Sequence, residues 1–254
     1  MKLVTFDLDG TLAESKQPLT HEMAELVAKL LEYVPVAVIS GGALEQFIKQ
    51  VVNQLPKPAH LENLYLLPTS GASLYEYRHD EWHKVYEERI SEKEADSIHA
   101  ALQAAAAEAG VIDFSTPSWG ERIEYRGGQV SLSALGQHAP VKLKKEWDPA
   151  RVKRLALLSA VQKHLPAGFS AAMGGLTTID VTKSGVDKAY GIRKLCERLR
   201  IKESEALYVG DELVAGGNDE AVYQTDAKTK SVVNPLDTEK LIEKIIPALA
   251  AQGG

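Results

Sequence analysis

The chain has 254 residues, enough for one large domain or two modest ones with a real core. Its 44% hydrophobic and 25% charged content are those of a globular protein, and a net charge of -6 argues against a nucleic-acid partner. The single cysteine, Cys196, excludes an intramolecular disulfide and a multi-thiolate metal site, and no apolar run approaches membrane-spanning length. The N-terminus carries no charged-then-apolar signal, so a cytoplasmic protein without a membrane partner is expected.

Taken in chain order, KLVTF reads as a buried strand and THEMAELVAKLLEY as an amphipathic helix beginning near Thr20. VPVAVIS is a second strand, GGALEQFIKQVVNQL a helix starting on its glycines, and LYLLP a third strand that turns into LYEYR. Strand and helix in alternation predict a parallel sheet with crossover helices. The middle of the chain differs. SEKEADSIHAALQAAAAEAG is a helix with a capping box, Ser91 standing three residues before Glu94. VIDFS, ERIEYR and QVSLSAL follow as strands, the last two around Gly127 and Gly128. A helix is expected to start at Asp148–Pro149, and then the strands GFSAAM and LTTIDVT. From Asp187 the alternation returns with helix DKAYGIRKLCERL, strand EALYVGDE, a glycine-rich loop, strand KSVVN and helix TEKLIEKIIPALAAQ; the terminal Gln-Gly-Gly is expected to fray. The predicted class is α/β: a Rossmann-like parallel-sheet core formed by residues 1–84 and 185–254, with an α+β cap of antiparallel strands and two helices inserted as residues 85–184.

Open parallel sheets bind ligands beyond the carboxyl ends of their strands. Four features fall there: Asp7 and Asp9 after the first strand, Ser40-Gly41-Gly42 after the second, Lys188 before a later helix, and Asp211 after EALYV. Three carboxylates, a hydroxyl-glycine turn and a lysine on one rim suit Mg²⁺ and a phosphate, since magnesium takes hard oxygen ligands and shares them with phosphate. Ser40 and the amides of Gly41 and Gly42 could hold phosphate oxygens, and Lys188 could neutralise further charge.

In that order FDLDGT, SGG, DK and VGDELVAGGNDE resemble the four motifs of the haloacid dehalogenase superfamily of phosphotransferases, and the position of the insert resembles its type IIB subgroup. RIEYRGGQVSLSALG, GGLTTIDVTKSGVDKAYG and GDELVAGGNDEAVYQTD are similar to the eukaryotic-type phosphomannomutases of that subgroup, over nearly the whole chain. The resemblance implies Asp7 as nucleophile, forming an aspartyl-phosphate, and Asp9 as general acid and base. It implies Mg²⁺ on Asp7, the backbone carbonyl of Asp9 and Asp211, with Asn218 and Asp219 supporting that loop or a metal-bound water. Arg126, Thr178 and Asp180 would hold a hexose phosphate, a hexose 1,6-bisphosphate would prime the enzyme, and a homodimer would form through the cap.

Three positions depart from the mutase pattern: Lys16, Gln137 and Lys144 stand where it has arginines. Lysine keeps the charge without the bidentate fork, and glutamine keeps neither. Interconversion of hexose 1- and 6-phosphates therefore stands beside two alternatives, sugar-phosphate hydrolysis and, more remotely, a binding protein on a retired enzyme fold.

Overall fold

The computed structural model describes residues 1–251, so the terminal Gln-Gly-Gly lies outside the described residues. The chain divides into two compact units. The first comprises Met1–Glu87, Asp187–Ala215 and Asp219–Gly254, and the second Glu88–Val186 with Gly216–Asn218.

The first unit is built on seven strands: β1 (Leu3–Asp7), β2 (Val36–Ile39), β3 (Leu64–Leu67), β4 (Ser73–Arg78), β5 (Glu81–Glu87), β10 (Ala206–Gly210) and β11 (Lys228–Ser231). Their order is β11-β10-β1-β2-β3-β4-β5. The five strands from β11 to β3 run parallel, and β4 and β5 add an antiparallel hairpin at one edge. Helices α1 (His21–Leu31), α2 (Leu44–Gln50), α6 (Lys188–Leu199) and α7 (Pro235–Ala250) complete the unit.

Alternation along each strand divides the side chains between two cores. Val4 and Phe6 of β1 join Met23, Val27, Phe47, Ile242 and Ile246 on one face. Leu3 of β1 and Tyr208 of β10 join Ile39, Leu67, Ile192, Leu195 and Cys196 on the other. The same period puts Asp7 with Leu3 and Thr5, on the face covered by α6. Cys196 is buried there, its thiol pushed up to about 11 chiefly by burial, which makes it core packing and a poor nucleophile.

The second unit has one antiparallel sheet of β6 (Ile123–Tyr125), β7 (Val130–Ser133), β8 (Phe169–Met173) and β9 (Thr178–Lys183), in the order β6-β7-β9-β8. Val130, Leu132, Ile179 and Val181 cover one face and pack with Ile98, Leu102, Leu157 and Val161 of helices α3 (Glu92–Ala109) and α5 (Val152–His164). Helix α4 (Val141–Trp147) lies between β7 and α5 in the chain. The capping box at Ser91 is present, with Ser91 Oγ accepting from the Glu94 amide and Glu94 reaching back to the Ser91 amide.

Several elements differ from the reading of the sequence, each for a local reason. VIDFS forms no strand: Asp113 Oδ1 accepts from the Ser115 amide, and this side-chain turn competes with extended pairing. Helix α5 starts at Val152, not at Pro149, because both oxygens of Asp148 accept from the Lys153 and Arg154 amides further on. Helix α4 was not foreseen. Helix α7 begins at Pro235, capped by Asn234, so Val232–Asn234 cannot extend the strand as KSVVN suggested.

Helix α6 lies against the 3-10 turn Thr69–Gly71 at a backbone-to-backbone contact. A Cβ on Gly191 would sit 2.9 Å from the Gly71 Cα and 3.0 Å from side-chain carbons of Ile39 and Leu67. Only a residue without a side chain allows this approach, and Lys188 stands one turn earlier on the same helix. Gly191→Ala is expected to destabilise the protein by about 2 kcal/mol, read as a lower urea midpoint at unchanged slope. An unchanged midpoint would show that the helix rides freely on that turn.

Candidate active site

Asp7 ends β1 and Asp211 follows β10, so the parallel register carries both acids to the carboxyl edge of the sheet. Lys188 opens α6, which starts there because Asp187 caps it by accepting from the Tyr190 amide at 2.9 Å. Its ammonium is 2.5 Å from Asp7 Oδ1 and 2.6 Å from Asp219 Oδ1, and lies 3.4 Å from the Tyr208 hydroxyl. The Tyr208 hydroxyl in turn donates to Asp219 Oδ1 at 2.5 Å. All four side chains are almost wholly removed from solvent.

Asp219 is held on both oxygens, since Oδ2 accepts from the Glu212 amide at 3.1 Å. Fully buried and doubly engaged, it anchors Lys188 and the loop after β10, and its geometry is that of a support and not of a direct metal ligand. Asp7 is different: Oδ1 is taken by Lys188, while Oδ2 is buried with no hydrogen-bond partner. Asp211 Oδ1 accepts from Thr11 Oγ1 at 3.1 Å. Gly10 lets this acid approach. Its φ of +95° is left-handed, and a Cβ there would collide with the Asp211 carboxylate.

The turn between Asp7 and Lys16 is closed by the Leu12 and Ala13 amides, which donate to the Leu8 carbonyl, and by the Gly10 amide, which donates to Ala13. Asp9 Oδ1 accepts from the Lys16 backbone amide at 2.7 Å. Ser40, Gly41 and Gly42 precede α2 instead of opening it, because the helix begins at Leu44. Their backbone is tied to the neighbouring turn: the Ser70 amide donates to the Ser40 carbonyl and the Thr69 amide to the Gly42 carbonyl. Asn218 belongs to the short segment grouped with the second unit; its side-chain oxygen is buried and accepts no hydrogen bond.

The Lys188 cation is shared by Asp7 and Asp219, with Asp211 electrostatically linked to them, and the protonation equilibria follow. Burial, reinforced by the charges of Asp219 and Asp211 and opposed by Lys188, holds the Asp7 carboxyl well above the usual range. Asp211 is pushed up to about 6 by burial and by the charge of Asp219. Burial would pull the Lys188 ammonium down, but Asp219 and Asp7 outweigh it and keep it charged. A buried carboxylate oxygen without a partner, next to a second acid that ionises reluctantly, fits a hard divalent cation. Among the described residues no cluster of three His, Cys, Asp or Glu side chains is arranged to hold a metal. Magnesium suits such a site, since it takes one or two carboxylates and completes its shell with water, carbonyl and phosphate oxygens.

In the second unit, five of the residues singled out in the sequence fall into two linked groups. Arg126 donates to Glu124 Oε2 at 2.6 Å and to Gln137 Oε1 at 2.9 Å, and Lys144 Nζ donates to the Gln137 carbonyl at 3.3 Å. Thr178 and Asp180 share a face of β9, paired in register with Ser133 and Ser131 of β7, and Ser131 Oγ donates to Asp180 Oδ1 at 2.7 Å. This is the polar face of the sheet, opposite the one packed on α3 and α5. Tyr208, Thr11 and Glu124 were not identified from the sequence. Thr11 had a signal, its place inside FDLDGT, whereas Tyr208 reads as one more apolar strand residue.

The family model described as eukaryotic phosphomannomutase matches residues 23–248. A probable phosphomannomutase of Caenorhabditis elegans is 26% identical over 258 residues, covering 97% of this chain and 96% of the worm protein. Among solved structures, an IMP-bound mutant of the Plasmodium falciparum IMP-nucleotidase matches with a TM-score of 0.70 at 19% identity, over 98% of this chain and 67% of that one. A haloacid dehalogenase-like hydrolase from Bacteroides thetaiotaomicron matches at 0.62 and 16%, over 96% and 99%. At these identities the solved structures speak to the fold, which is that of the haloacid dehalogenase-like enzymes.

The raised acid makes a stability prediction. Because Asp211 binds its proton more tightly when folded, its contribution to metal-free stability falls as pH rises between 3.8 and about 6 and stays low above. Asp211→Asn removes that penalty and is expected to stabilise the metal-free protein by roughly 2 kcal/mol near neutral pH while abolishing stabilisation by Mg²⁺. Denaturant titrations with and without metal measure both. A variant less stable than the parent in chelator would contradict the electrostatic assignment.

Proposed function

The chain belongs to the eukaryotic phosphomannomutase family, and from that premise we propose that it is a Mg²⁺-dependent phosphotransferase interconverting hexose 1- and 6-phosphates through an aspartyl-phosphate. The observation that carries the reading is Asp7, whose Oδ1 is fixed by Lys188 while Oδ2, buried and without a partner, is left to react. Asp7, Asp211 and the carbonyl of Asp9 would hold Mg²⁺, which when bound supplies positive charge for the transferring phosphoryl group.

The Asp7 carboxylate oxygen attacks phosphorus, the bond from phosphorus to the sugar oxygen breaks, and Asp9 gives its proton to that oxygen. In the return step Asp9 takes the proton from a sugar hydroxyl, which attacks the acyl phosphate and frees Asp7. The Lys16 amide holds Asp9 Oδ1 in place for both transfers. Lys188 balances the charge of Asp7 before attack and can follow the phosphoryl oxygens after it. Ser40, Gly41 and Gly42, roped to the Thr69–Gly71 turn, are assigned to the transferring phosphate. Arg126, Gln137, Lys144, Thr178 and Asp180 are assigned to the sugar phosphate, and a hexose 1,6-bisphosphate primes the cycle. The same reading carries a cytoplasmic homodimer through the cap, to which Val152 and Leu155, both exposed, could contribute; sedimentation equilibrium on the intact chain and on Leu155→Glu tests the association.

One observation favours hydrolysis as a second reading. In the second unit the Arg126 guanidinium is already paired with the Glu124 carboxylate, and Gln137 adds no charge. Such a balance grips a distant phosphate less firmly than an all-arginine site, and a phosphatase needs no distant phosphate.

Phosphorus NMR of the protein with Mg²⁺ and mannose or glucose 1-phosphate, with and without the matching 1,6-bisphosphate, separates these readings. The 6-phosphate is expected to form only with the bisphosphate, and Asp7→Asn is expected to lose at least about a thousandfold in rate. Inorganic phosphate without isomer would establish hydrolysis instead. No turnover, with Asp7→Asn indistinguishable, would overturn both.

A further inference from the structure

Lys188 has three ammonium protons, and within hydrogen-bond range stand three acceptors: Asp7 Oδ1, Asp219 Oδ1 and the Tyr208 hydroxyl. The first two bonds are short and the third, at 3.4 Å, is long. Tyr208 spends its own proton on Asp219 Oδ1, the same oxygen that Lys188 holds. One carboxylate oxygen therefore takes a neutral and a cationic donor together. The phenol lies wholly inside the apolar core beside Leu195 and Ile192, where a hydroxyl without a partner would be costly, so its single polar function is aimed at this one acid.

From this geometry we infer that Tyr208 is a positioning residue for phosphoryl transfer, satisfying Asp219 so that Lys188 stays shared with Asp7. Without the phenol proton, Asp219 Oδ1 would have only the ammonium to satisfy it and would draw Lys188 towards itself. Asp7 would then lose the cation that fixes its Oδ1 and balances it during attack. Tyr208 also marks the bond that can yield first: the long contact from Lys188 is the one most readily exchanged for a phosphoryl oxygen. Burial together with Asp219 and Asp7 holds the phenol well above its usual pKa, in keeping with a donor that stays protonated. The inference rests on the phosphotransferase reading for its consequence and on the hydrogen-bond geometry for its cause.

The test is Tyr208→Phe, which keeps the ring and removes the hydroxyl. Folding is checked by thermal melting. The variant is expected to lose roughly tenfold in kcat with KM within about twofold of the parent, as one hydrogen bond to a charged group predicts. Fluoroberyllate with Mg²⁺, which mimics the phosphoryl group on an aspartate, is expected to bind the variant more weakly by a similar factor. In an Asp219→Asn background the same change is expected to have little further effect, because the oxygen to be satisfied is no longer charged. Unchanged kcat and unchanged fluoroberyllate affinity would overturn the inference, as would equal effects in both backgrounds. If Tyr208→Phe does not fold, 3-fluorotyrosine at position 208, a stronger donor of the same shape, replaces it; a shifted kcat supports the role and an unchanged one overturns it. A parent protein inactive on every hexose phosphate would count against the proposed function, while the fluoroberyllate comparison would still decide Tyr208. No fluoroberyllate binding by the parent would overturn both.

Discussion

The ammonium of Lys188, buried between Asp7 and Asp219, is the interaction on which the rest of this structure depends. A buried carboxylate is tolerated only when something compensates it, and here one cation is shared by two acids with a third, Asp211, close enough to feel them. The fold is arranged to deliver that lysine. Asp187 caps the helix, Gly191 lets it settle on the Thr69–Gly71 turn, and strand alternation turns Asp7 and Tyr208 to the same face. The arrangement remains short of positive charge, which is a weakness in a resting protein and a requirement in one that must receive a metal ion and a phosphate.

Much of this was legible in the sequence, because the residues concerned announce themselves by position. Asp7, Ser40 and Asp211 each follow an apolar run of strand length, and parallel sheets bring such ends together. The mixed class of the second unit was equally readable from its hairpin turn and capping box. What the sequence hid depended on side-chain competition. Asp148 could cap a helix at once or reach past three residues to do it, and the hydrogen bond from the Arg154 side chain favours the second. Helix α2 looked as if it opened on its glycines, yet the Gly42 and Ser40 carbonyls accept from the Thr69 and Ser70 amides and the helix waits until Leu44.

The cryptic members of the site are more instructive. Tyr208 sits in ALYVG, where a phenol counts as one apolar residue among others, and nothing in the strand pattern says that its hydroxyl meets Asp219. Asp219 was visible as an acid in the expected motif, but its two oxygens are spent on Lys188, Tyr208 and the Glu212 amide. In the second unit the sequence singled out Arg126, Gln137 and Lys144 separately, as one retained position and two departures. The structure makes them one group, in which the glutamine accepts from both cations and turns a loss of charge into a bridge between them.

If the site is short of positive charge, a divalent cation should displace protons as it binds. Calorimetric titration of the substrate-free protein with Mg²⁺, in buffers of differing ionisation enthalpy, measures that displacement. Asp211, with its pKa raised to about 6, and Asp7, also raised by burial, predict that Mg²⁺ binding releases protons near pH 6. Binding without proton release near that pH, or no binding at millimolar metal, would contradict the account.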